Sequence, residues 1–86
     1  PNYLQNPRPA YPAIALSRGW QGKVLLRVQV GPDGRPRSIA VAQGSGRQLL
    51  DDAAIAAVRG WSFVPARQGD VPVAGWVTVP IVFELK

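Results

Sequence analysis

From Lys23 to Val30 apolar and polar residues alternate, with Val24, Leu26, Val28 and Val30 on one face and Lys23, Arg27 and Gln29 on the other. A period of two over that length predicts a half-buried strand. Gly31-Pro32-Asp33-Gly34 follows as a turn, because proline presets φ at a first central position and glycine accepts the positive φ that closes a hairpin. A second strand is expected over about Pro36 to Ala42, with Ile39 and Val41 in phase. Pro36 sits near its start, where a missing N–H is tolerable.

The period then changes. Leu50, Ala54, Val58 and Trp61 recur at the spacing of one helical face, with Ala57 beside them, and the alanine-rich run Ala53 to Ala57 favours a helix by propensity. This helix is expected from about Arg47 to Gly60. Ser45 and Gln48 are spaced as a capping box, and Asp51 and Asp52 lie near its positive end. Residues 63 to 70 read as a loop by composition. Alternation returns from Val77 to Leu85, with Val77, Val79, Ile81, Phe83 and Leu85 inward and Thr78, Pro80, Val82 and Glu84 outward.

The first dozen residues carry Pro1, Pro7, Pro9 and Pro12, a density that favours extended backbone and forbids a regular helix. Residues 1–10 read as the end of a proline-rich linker and residues 11–86 as the folded domain. Tyr3, Leu4 and Tyr11 are apolar enough to dock on its body. Pro12 suits the start of a short helix to Arg18, with Gly19 placed to end it. The order helix, strand, strand, helix, strand predicts an α+β fold. A hairpin and a C-terminal edge strand form a three-stranded antiparallel sheet, with one long helix packed on it and a short N-terminal helix.

Composition narrows the chemistry. The 86 residues are 47% hydrophobic and 17% charged, as in a globular domain. There is no cysteine and no histidine, so disulfides, thiolate chemistry and the commonest metal ligands are excluded. The few hydroxyl side chains have no histidine base to meet. The carboxylates Asp33, Asp51 and Asp52 are accounted for by a turn and a helix start. Gly44-Ser45-Gly46 lacks the lysine and the length of a phosphate loop. The reading is a protein without catalytic, metal or cofactor sites. The net charge of +5 is spread from Arg8 to Lys86 without a run, which describes a mildly basic surface. A polyanion-binding module is the alternative that this charge motivates.

Pro80 is the informative oddity. Proline cannot donate to a ladder, so a strand carrying it mid-run belongs at a sheet edge with the missing N–H facing outward. Thr78, Val82 and Glu84 then expose their backbone groups on the same side, while Val77, Val79, Ile81 and Phe83 bond to the hairpin. Such an edge is either a docking site for another strand or an edge that Pro80 protects, and the residues alone leave both open. It also permits strand-exchanged homodimers. Trp61 and Phe63 read as core anchors, Tyr11 as packing on the fold, and Trp20 and Trp76 as residues near element boundaries.

Tyr11-Pro12, the run Gly19-Trp20-Gln21-Gly22-Lys23-Val24 and Pro32-Asp33-Gly34-Arg35 resemble the TonB C-terminal family. So do Ala57-Val58-Arg59-Gly60-Trp61-Ser62-Phe63-Val64-Pro65-Ala66 and the closing Val79-Pro80-Ile81-Val82-Phe83, in the family's order and spacing. The resemblance covers about Pro9 to Leu85. It implies the periplasmic domain of an inner-membrane-anchored energy transducer, driven by an ExbB/ExbD-type motor. It implies outer-membrane TonB-dependent receptors as partners, whose TonB box pairs with the last strand. Nucleic acid is not expected as a partner.

Carried onto this sequence, the pairing strand is Val77, Thr78, Val79, Pro80, Ile81, Val82, Phe83, Glu84 and Leu85. Arg8, Pro9 and Ala10 form a second receptor-contacting segment beside Tyr11 and Pro12. The sequence departs from a well-known member of the family, which carries Gln where Arg8 stands here. A TolA-like envelope scaffold shares the general architecture, and the YP and PDG signals favour the TonB family over it.

Overall fold

The computed structural model describes residues 6 and 8–85, so the linker residues Pro1, Tyr3, Leu4 and Pro7 lie outside the described residues, as does Lys86. The alternating stretch forms β1 (Gly22–Val30), followed by β2 (Pro36–Gln43). Between them the Gly31 amide donates to the Arg35 carbonyl at 2.9 Å and the Gly34 amide to the Gly31 carbonyl at 2.9 Å. The Asp33 carboxylate accepts from the Arg35 amide at 3.0 Å. Gly34 has φ +80°, and a Cβ built there would lie 2.4 Å from the carbonyl oxygen of Phe63. Its own carbonyl accepts the Phe63 amide at 2.8 Å. The turn is therefore fixed to the segment that follows the long helix, and only glycine fits.

The short helix α1 (Ala13–Arg18) starts after Pro12 and buries Ala15. The long helix α2 (Gln48–Arg59) buries Leu50, Ala54 and Val58, one residue per turn along a single face, against β1 and β2. The expected capping box does not form. Gln48 instead donates from Nε2 to Asp52 at 2.8 Å. Asp51 takes its place, with Oδ1 accepting from the Ser45 amide at 2.9 Å and from the Ser45 hydroxyl at 2.7 Å. Ser45 Oγ in turn accepts the Arg47 amide at 3.1 Å. The physical reason is position: the N-cap is Arg47, whose side chain makes no capping bond, so Ser45 lies two residues before the cap and Gln48 is the first helical residue, not the third.

The stretch read as a loop, residues 63 to 70, holds β3 (Ala66–Gln68), which pairs with β4 (Val71–Val73) just beyond it as a separate two-stranded sheet. Three-residue strands are too short to show a period, and Pro65, Gly69 and Pro72 in and around them read as loop. The last strand, β5 (Gly75–Phe83), begins and ends two residues earlier than its alternation suggests. It pairs antiparallel with β1, giving the order β2-β1-β5. The architecture is the expected α+β arrangement, with the small hairpin added.

The core lies between this sheet and α2. Val24, Leu26, Val28 and Val30 meet Leu50, Ala54 and Val58 from above and Val79, Ile81 and Phe83 alongside. Trp61 and Phe63 close it beyond the helix end, 7% and 2% exposed, as core anchors. Burying each of these larger apolar side chains contributes about 1.5–3 kcal/mol.

Candidate functional site: the β5 edge and the strap beside it

Among the described residues β5 has one neighbouring strand, β1, and its other side carries no ladder. The two edges of the sheet differ. The β1–β2 ladder shifts register between Leu25 and Leu26 and again between Gln29 and Val30, irregularities that discourage further pairing on β2. The β1–β5 ladder runs without a shift from Gly22↔Phe83 to Val30↔Gly75. β5 is thus a long, regular template.

Backbone groups alternate sides along such a strand. Pro80, opposite Leu25, has no N–H, so the set that costs the ladder nothing to turn outward is Trp76, Thr78, Pro80 and Val82. The inward set continues past the strand, because the Leu85 amide donates to Oε1 of Gln21 at 2.8 Å on the β1 side. The side chains divide the same way. Val79, Ile81 and Phe83 are buried, while Trp76 is 49% and Val82 59% exposed. Arg27 lies over the Trp76 ring, 5.2 Å from its centroid, on the solvent-facing side of the sheet.

Asn6 and residues 8–12 run along this edge as a strap, with contacts to the body at Asn6 and at Tyr11. Asn6 donates from Nδ2 to the Ser62 carbonyl at 2.9 Å and accepts the Ser62 amide on Oδ1 at 3.0 Å, so its amide side chain pairs with a peptide group as a strand would. At the other end the Tyr11 ring meets Phe83 edge-on, with centroids 5.3 Å apart and planes at 81°. The Tyr11 hydroxyl donates to the Trp20 carbonyl.

Between strap and edge lies a groove of about 700 Å³. Asn6, Arg8, Pro9 and Tyr11 form one wall, Pro80, Ile81, Val82, Phe83 and Glu84 the other, and Trp61 lines it as well. The structure thus brings together two segments that the sequence holds some seventy residues apart. Val77, Thr78 and Val79 continue the edge beyond the groove. Ala10 turns away, lining a separate hollow of about 310 Å³ with Arg8, Ala53, Ala56 and Ala57. Pro12 is the half-buried residue that starts α1. Leu85 is half-buried, and its N–H is taken by Gln21.

Three residues of this arrangement have no sequence signal. Asn6 and Gln21 act through side-chain bonds to backbone far along the chain, and Trp61 reads simply as core. Trp20, placed near an element boundary, is half-buried with the Arg47 guanidinium 4.3 Å and the Arg18 guanidinium 5.7 Å from its ring centroid. No helix among the described residues is long and apolar enough to cross a membrane.

Comparison with known proteins places this geometry in context. The family model described as "Gram-negative bacterial TonB protein C-terminal" matches residues 7–85. Protein tonB2 of Pseudomonas aeruginosa is 58% identical over 84 residues, covering 98% of this chain and 31% of that protein. Protein TonB of Vibrio cholerae is 34% identical over 79 residues, covering 92% of this chain and 32% of that protein. The chain therefore spans about a third of the length of these relatives. The solution NMR structure of the Pseudomonas aeruginosa TonB C-terminal domain superposes with a TM-score of 0.81 at 28% identity, covering 98% of this chain and 85% of that one.

Proposed function

The chain belongs to the TonB C-terminal family, and from that membership we propose that it is the receptor-binding domain of a TonB-like energy transducer. Its work is mechanical coupling and not catalysis. The domain stands in the periplasm of a Gram-negative envelope, residues 1–10 ending the linker that reaches it. An anchor in the inner membrane and an ExbB/ExbD-type motor act through the rest of the protein. Outer-membrane TonB-dependent receptors are the partners, each offering a TonB box as a short extended segment.

The observation that carries this reading is the unshifted open edge of β5 with the strap alongside. A receptor segment adds there as a further strand, bonding to the outward groups of Thr78, Val82 and Glu84 and skipping Pro80. Four to six such bonds, each worth about 0.5–1.5 kcal/mol net, give a reversible attachment. That strength suits a coupling that engages and releases. Arg8, Pro9 and Tyr11 meet the groove-facing side of the segment.

Titration of the isotope-labelled domain with a TonB-box peptide tests the proposal. The expected amide shifts fall along β5, at Thr78, Val82 and Glu84, and in the strap from Arg8 to Tyr11. Shifts confined to α2 would overturn it.

A further inference from the structure

We infer that Arg8 makes the β5 groove selective for an extended segment that carries an acidic side chain on its groove-facing side. The inference deepens the edge-pairing reading above and rests on it. Arg8 lies between the two fixed points of the strap, the Asn6–Ser62 pair and the Tyr11–Phe83 contact. Its place along the edge is therefore set by the fold, although the side chain itself is exposed.

Among the described residues, Arg8 is the one cation and Glu84 the one anion lining the groove. Neither has an ion-pair partner among the described residues, so these leave two unlike charges facing the groove. Apolar surface from Tyr11, Trp61 and Phe83 lies around them. A strand added to β5 displaces water from this surface and lowers the local dielectric. A carboxylate opposite Arg8 then gains a charge-assisted, two-pronged hydrogen bond that a lysine could not reproduce.

Strand geometry makes the preference positional. Side chains of an added strand alternate between the strap side and the solvent-facing side of the sheet, so only every second residue can reach Arg8. Glu84, past the end of β5, repels an acid placed opposite it. The pair therefore fixes register and direction. An acidic residue belongs at the level of Arg8 and is excluded at the end near Glu84, with apolar residues between them on the strap side.

The test uses a TonB-box peptide long enough to match the nine residues of β5, with its own acidic residues replaced by Gln and a single Glu then moved along it one position at a time. Affinities are measured for the unaltered domain and for Arg8→Gln and Arg8→Glu. The expected result is that Glu tightens binding by about three- to tenfold at alternating positions only, with a maximum at one of them. That gain disappears in Arg8→Gln, reverses in Arg8→Glu and shrinks at high salt. Arg8→Lys is expected to keep only part of it.

Equal gains in the unaltered domain and in Arg8→Gln would overturn the inference, as would gains without alternation. Two further outcomes separate it from the reading it rests on. Peptides that shift the β5 amides with an affinity indifferent to Glu position remove the role of Arg8 and leave edge pairing standing. Peptides that fail to shift the β5 amides at all remove both.

Discussion

Leu25 stands directly opposite Pro80 in a β1–β5 ladder that runs its full length without a register shift. A proline in mid-strand costs that ladder nothing, because its missing N–H belongs to the outward set. The cost falls on whatever pairs with the open side, where one partner carbonyl goes unmet. Pro80 therefore weakens attachment and self-association together, two consequences of one absent donor.

Pro80→Ala restores that donor. A TonB-box peptide is expected to bind about two- to tenfold more tightly, the worth of one added ladder bond. The same variant should self-associate more readily at high concentration, since its edge is no longer interrupted. Calorimetric titration and size-exclusion chromatography read the two effects. An unchanged affinity would mean that no bond forms opposite residue 80.

Gly34→Ala should destabilise the fold far more than Gly69→Ala, although both glycines have positive φ, +80° and +64°. At Gly69 nothing lies within 4 Å of an added Cβ, so the cost is the conformational one of about 1–2 kcal/mol. At Gly34 the methyl group would meet the Phe63 carbonyl oxygen at 2.4 Å, and the Gly34–Phe63 backbone bond prevents an easy retreat. A further loss of about 1–3 kcal/mol is expected, and each kilocalorie lowers the melting temperature by about 4–8 °C in a domain of this size. Thermal unfolding of the two variants checks the order.

How far these features could be read beforehand depends on the range of the interaction that makes them. β1 and β2 follow from alternation within a few residues, and α2 from Leu50, Ala54 and Val58 recurring on one face. The bounds of β5 slip by two, because Gly75 looks like a breaker and nothing local marks Glu84 and Leu85 as lying past the strand. The edge itself was legible, through a single proline. The groove was legible in part. The resemblance names Arg8, Pro9 and Tyr11, but the bonds that hold the strap join Asn6 to Ser62, 56 positions away, and leave no periodic trace. Ala10 sits among the named residues yet lines the hollow beside α2 instead, which Arg8 borders as well as the groove.

Asp51→Ala should cost about 0.5–2 kcal/mol, the usual worth of a helix-terminal cap, because Asp51 Oδ1 accepts from both the amide and the hydroxyl of Ser45. Gln48→Ala, at the position that the sequence pattern marks for that role, should stay within about 0.5 kcal/mol. Its side chain reaches the exposed Asp52 alone. Urea unfolding of the two variants decides between the observed cap and the one implied by spacing. Equal losses would return Gln48 to the capping role.

Asn6→Ala isolates the strap from the core. The substitution removes both bonds to Ser62 and leaves Tyr11 on Phe83. Asn6 lies outside the buried core, so global stability should fall by about 1 kcal/mol or less. The wall that carries Arg8 and Pro9, however, then loses its attachment to Ser62. A peptide lying in the groove must order that wall as it binds, at about 1–2 kcal/mol for each backbone residue fixed. Affinity for a TonB-box peptide should therefore drop by about tenfold or more while the unfolding midpoint moves little, and amide exchange should quicken at Arg8 and Ala10. Tyr11→Phe provides the contrast. It removes the bond to the Trp20 carbonyl but keeps the ring on Phe83, so it should lower stability by about 1 kcal/mol and leave affinity within about twofold. Parallel losses of stability and affinity in both variants would mean that the strap belongs to the body of the fold and does not act as a separate wall of the groove.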